Sequence, residues 1–104
     1  MTNSPVIEIV TLTIRDGISV DHFAALDKAV EREHVALQPG FVSRESATGE
    51  NATWLVIVHW ASTADAQASM ATFADAAAAA PFLAAVEPDS MTMTRYSGSS
   101  GKRP

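Results

Sequence analysis

Seven consecutive strand-favouring residues, Trp54 to Trp60 (W-L-V-I-V-H-W), restrict this chain more than any other stretch. Side chains alternate between the two faces of a strand, and here neither face is polar, so the strand belongs inside a sheet with apolar material on both sides. The pattern then switches. Ser62, followed three residues later by Asp65, reads as a helix N-cap with an acidic group in the first turn, so this central strand feeds a helix.

A second such strand opens the chain. Val6 to Ile14 (V-I-E-I-V-T-L-T-I) puts Val6, Glu8, Val10, Leu12 and Ile14 on one face and Ile7, Ile9, Thr11 and Thr13 on the other. Both faces are largely apolar, which again marks a central position. Arg15, Asp16 and Gly17 make the turn, Ser19 caps the first helix, and the helical pattern runs to about Leu37. Phe23, Leu26, Val30 and Leu37 form its buried stripe, which His34 joins, while Asp27, Lys28, Glu31 and Arg32 supply the wet side. Pro39 and Gly40 end the helix. Phe41 to Ala47 is polar enough for an edge strand, and the turn Thr48 to Asn51 joins it to the Trp54 strand as a hairpin. The second helix buries Ala66, Met70, Phe73 and Ala77 and continues through alanines 76–80 until Pro81 breaks it; Phe82 to Val86 adds a short turn. Alternation over Ser90 to Tyr96 gives the last strand. A single domain over residues 5–97 is expected, with flexible tails at 1–4 and 98–104.

Strand, helix, strand, strand, helix, strand is the order of the ferredoxin-like βαββαβ arrangement, an α+β fold. Right-handed crossovers and hairpin pairing give a four-stranded antiparallel sheet in the order 4-1-3-2, with both helices on one face. The other apolar face is left bare, which water penalises. A second copy packed sheet against sheet covers it, so the expected partner is the chain itself, as a homodimer.

Composition removes several classes of function. The chain has 104 residues, 47% hydrophobic and 18% charged, and no apolar run near the roughly 20 residues of a membrane-spanning helix. A formal charge of −5 without a clustered basic patch argues against nucleic acid. There is no cysteine, hence no disulfide and no thiolate, and no basic stretch followed by an apolar one at the start, so a cytoplasmic protein is expected. Phosphate loops, nucleophile elbows and metal-spaced His or carboxylate clusters are missing too, and neither metal nor cofactor is expected.

Gln38 to Met70, with Q-P-G-F-V-S-R-E and then W-L-V-I-V-H-W-A-S-T-A-D-A-Q-A-S-M, resembles the dimeric α/β-barrel superfamily, in particular proteins of the antibiotic biosynthesis monooxygenase type. Its recurring marks are the Pro-Gly-Phe after the first helix and the Trp-x-Ser that ends the third strand. The resemblance implies a dimeric α/β barrel binding a small aromatic or polyketide-like molecule, with cofactor-independent monooxygenation as its activity. Relatives also include cyclases, isomerases and proteins without assigned activity. The haem-degrading branch needs Asn, Trp and His where this chain has Val10, Ser69 and Ala79, so haem breakdown is not implied. Many monooxygenase-like members carry a helix-borne His at the position of Ser69, and that group is absent here.

Two histidines are then candidate bases. His59 lies in the central strand, on the face opposite Trp54, Val56, Val58 and Trp60, and either abstracts a proton from an acidic phenol or is a core or interface residue hydrogen-bonded to a neighbour. His34 lies on the buried stripe near a helix C-terminus, where it either faces a pocket or is partly exposed. Trp54, next to the turn, is the aromatic expected to touch a ligand, while Trp60 is expected to be structural. Arg44 and Tyr96 on flanking strands, and Met70 and Phe73 on the second helix, complete the candidate ligand-binding set. Glu8 is the oddest charge; among Val6, Val10 and Leu12 it requires a partner such as Arg95 or Arg44, or else a raised pKa.

Overall fold

The two doubly apolar strands lie side by side at the centre of the sheet. In a computed structural model, which describes residues 5–98, the elements are β1 (Val6–Thr13), α1 (Val20–Glu33), β2 (Phe41–Thr48), β3 (Thr53–Trp60), α2 (Thr63–Phe73), α3 (Ala79–Ala84) and β4 (Thr92–Ser97). The tails expected at 1–4 and 98–104 lie, apart from Gly98, outside the described residues. The sheet order is β2-β3-β1-β4, every neighbouring pair antiparallel, as the order 4-1-3-2 requires. This is a ferredoxin-like α+β fold.

One face of the central pair forms the core. Val6, Leu12, Trp54, Val56, Val58 and Trp60 are each no more than 5% exposed and cluster with Phe23, Val30, Ala66 and Phe82 from the helices. Fully burying side chains of this size contributes about 1.5–3 kcal/mol each. The opposite face carries Ile7, Ile9, Leu55, Ile57 and His59, all half-buried in the single chain.

Local signals explain the helix starts. Ser19 accepts the His22 N–H, and Ser62 accepts the Asp65 N–H at 3.1 Å while donating to Asp65 Oδ2 at 2.9 Å. The Pro-Gly-Phe and Trp-x-Ser marks meet at this second cap. The Ala61 N–H donates to the Gly40 carbonyl at 2.8 Å, and a Cβ on Gly40, which has φ +81°, would overlap the Asp65 side chain. Only glycine suits both the backbone and the space.

Several expectations need correction. α1 stops at Glu33, and Val35–Leu37 forms a tighter 3-10 turn that turns Leu37 out, leaving it 71% exposed. Asp27, expected on the wet side, is only 4% exposed, so the buried stripe is Phe23, Asp27, Val30 and His34. α2 ends at Phe73 rather than at Pro81, which sits inside the first turn of α3, where its missing N–H has no helical partner to lose. α2 buries Ala66 and Ser69; Met70 is 40% exposed and Ala77, beyond the helix, is exposed. Alanine on nearly every side leaves the sequence pattern with little rotational preference, so packing chose the face.

Candidate functional site

A row of side chains crosses the helix-facing side of the sheet. The registers align Arg44, Val58, Glu8 and Arg95 on β2, β3, β1 and β4. Arg95 Nε donates to Glu8 Oε2 at 2.9 Å, and Trp60 Nε1 donates to Glu8 Oε1 at a longer 3.4 Å. The carboxylate that required a partner thus has one on β4. Arg44 turns to α1 instead, where its terminal nitrogens donate to both oxygens of Asp27 at 3.0 and 2.8 Å and to Glu31 at 3.3 Å. Ser46 donates to the same Asp27 at 2.7 Å. The Arg44 and Asp27 side chains are 3% and 6% exposed. At that depth, losing one member strands a buried charge.

Above this row, between the sheet and α2 and α3, lies a cavity of about 200 Å³. Val10, Val56, Val58 and Trp60 form its floor beside Glu8 and Arg44, while Val35, Ser69, Phe73 and Phe82 close it from above; Met70, Leu83 and Met91, all partly exposed, stand at its rim. The walls are mostly hydrocarbon. A site of about 150 Å³ holds a benzene ring, so this space takes a substituted ring rather than a large polycycle.

Three of the candidate residues meet the cavity and the others do not. Arg44, Met70 and Phe73 line the cavity. His34 sits one layer behind it, 5.7 Å from Phe73 between ring centroids. Its Nε2 lies 3.5 Å from the Ser69 carbonyl, and its Nδ1 lies 3.4 Å from the Gln38 amide nitrogen. The tautomer with hydrogen on Nε2 satisfies both contacts, long as they are. His59 and Tyr96 project from the opposite face of the sheet, paired in register with Ile7 on β1, and so do not meet the cavity.

Trp54, expected at a ligand, is also away from the cavity, and Trp60 lines it. The reason is local. Trp54 packs edge-on against Phe23, with centroids 5.1 Å apart at 74°, which fills that end of the sheet. Trp60 instead borders the cavity, where the fully buried side chains of α2 are the small Ala66 and Ser69 and the larger Met70 and Phe73 stay partly exposed. Sequence reasoning missed Asp27 and assigned Glu8 and Trp60 no ligand role. A charged residue four places after Phe23 and three before Val30, on the stripe itself, was the available signal for Asp27.

No protein-family model and no curated protein matches the sequence. Solved structures do. SnoaB, a cofactor-independent oxygenase from Streptomyces nogalater, superimposes with TM-score 0.75 at 15% identity, covering 93% of this chain and 95% of that one. A protein from Caulobacter crescentus, provisionally named an antibiotic biosynthesis monooxygenase, gives 0.77 at 13% identity over 95% and 93% of the two chains. One from Chloroflexus aurantiacus, provisionally given the same name, gives 0.68 at 18% identity over 96% and 98%. At such identities the likeness is one of fold, and the chain has the ferredoxin-like fold of antibiotic biosynthesis monooxygenase-like proteins.

Proposed function

We propose that this protein binds a small aromatic or polyketide-like molecule in the cavity between sheet and helices and oxygenates it without a cofactor. The largely hydrocarbon cavity, open at one rim and with two charged side chains in its wall, carries this reading. The name of SnoaB supports the chemistry. In such a reaction the substrate supplies the electrons: a ring CH2 becomes C=O, one oxygen atom of O2 stays on carbon, and the other leaves as water with the two hydrogens. Of the two histidine bases, His34 is the one beside the cavity.

The reading includes a homodimer. The half-buried Ile7, Ile9, Leu55 and Ile57 form an apolar strip beside Tyr96, which is 55% exposed, and a second copy is the cover proposed for it. A standard interface buries about 800 Å² per partner. His59 then belongs to that interface.

Oxygen uptake with one-ring and two-ring hydroquinones and with anthrone tests the activity. Uptake is expected to favour the smaller rings and to fall with Val58→Phe, which fills the cavity. Uptake unchanged in both His34→Ala and His59→Ala removes the histidines as bases. A second reading, a ligand-binding protein without catalysis, is favoured by one observation: no histidine lines the cavity. Binding of the same compounds without oxygen consumption selects it, and turnover without oxygen selects a cyclase or isomerase.

A further inference from the structure

Resting on the cavity reading above, we propose that Glu8 and Arg44 select a neutral aromatic ring bearing a hydroxyl on one edge and a carbonyl oxygen on the opposite edge. The hydroxyl donates to Glu8 Oε1, and the carbonyl accepts from the Arg44 Nε–H.

Arg44 supplies the first argument. Its terminal nitrogens are engaged by Asp27 and Glu31, yet its Nε is buried without a partner, and the side chain lines the cavity. An unpartnered buried donor is costly, and an acceptor placed in the cavity relieves that cost once a small shift of the side chain uncovers the Nε, which has under 1 Å² of accessible surface in this structure. Glu8 supplies the second. Its Oε2 is held by Arg95 at 2.9 Å, whereas Oε1 has only the 3.4 Å contact with Trp60. An ionised carboxylate has about four acceptor positions, so Oε1 has capacity for a shorter bond.

Spacing supplies the third. Glu8 and Arg44 are aligned with Val58 between them, so their backbones stand two strand spacings apart, about 10 Å. A planar ring lying over Val58 presents opposite edges to the two groups. Charge supplies the last: the carboxylates of Glu8, Asp27 and Glu31 outnumber the guanidinium groups of Arg44 and Arg95, which disfavours an anion.

Calorimetric titration of the full chain with 4-hydroxyacetophenone, 4-methoxyacetophenone, 4-ethylphenol and 4-hydroxybenzoate tests this. The expected result is that the first binds at least tenfold more tightly than each of the others. In Glu8→Met, which removes the acceptor, and in Glu8→Met with Arg95→Met, which keeps the charge balance, the preference for the phenol over its methyl ether is expected to disappear while the ether binds as before. Equal binding of phenol and ether by the unaltered protein, or a preference that survives both variants, overturns the proposal. Val58→Phe separates the two levels. If it abolishes binding while the unaltered protein shows no selectivity, only the Glu8–Arg44 assignment fails; if it leaves every affinity intact, or if no probe binds, the cavity reading fails with it.

Discussion

The two faces of β1 and β3 carry similar apolar side chains and end in different states. Toward the helices, Val6, Leu12, Val56, Val58 and Trp60 are 1–3% exposed. Away from them, Ile7, Ile9, Leu55 and Ile57 remain half-buried. Hydrophobicity states that a strand needs a cover on each side, but it does not state where that cover comes from. The helix-facing side also holds the charged row and the cavity, while the other holds His59 and Tyr96. Candidate chemistry is therefore divided between two environments that the alternation of the strands keeps apart.

Substitutions on each face test this contrast. The largest effect is expected for Trp60→Ala, a loss of about 3–5 kcal/mol in urea unfolding. If Ile57→Ala costs a single-chain preparation as much, the difference between the faces is not real. Next is Asp27→Ala, expected to cost about 3 kcal/mol because Arg44 is left charged and unpaired beneath α1. Replacing both, Asp27→Leu with Arg44→Met, is expected to restore most of that loss in the same unfolding measurement. Ile57→Lys is expected to change the stability of an isolated chain by less than about 1 kcal/mol. Light scattering is then the informative measurement: the proposed dimer has twice the mass of the 11.0 kDa chain, and the variant should scatter as a single chain. The smallest effect belongs to Arg32→Ala. Its pair with Glu33 spans 3.3 Å, but the two side chains are 65% and 53% exposed, so thermal unfolding should move by the equivalent of about 0.5 kcal/mol or less.

Much of the fold was legible because it depends on short-range rules. Doubly apolar strands read as central, and Ser19 and Ser62 read as caps, since each signal lies within a few residues of the structure it sets. The candidate site was legible only in part. Arg44, Met70 and Phe73 reached the cavity, yet Trp54 did not, because whether an aromatic borders a void depends on what faces it. Phe23 faces Trp54, whereas Trp60 borders the cavity together with Ser69, Met70 and Phe73 of α2. Asp27 was misplaced for a related reason: a carboxylate reads as solvent-facing until Arg44, seventeen residues later, is known to sit opposite it.

By itself the sequence determined the order of the elements, the central place of β1 and β3 and the starts of α1 and α2, all consequences of side-chain alternation and local capping. Only the tertiary structure decided which face of α2 meets the sheet, which tryptophan borders the cavity, and that Glu8 and Arg44 stand in one row on either side of Val58. Those outcomes depend on volume and charge brought together from distant parts of the chain. No periodicity within one segment encodes them.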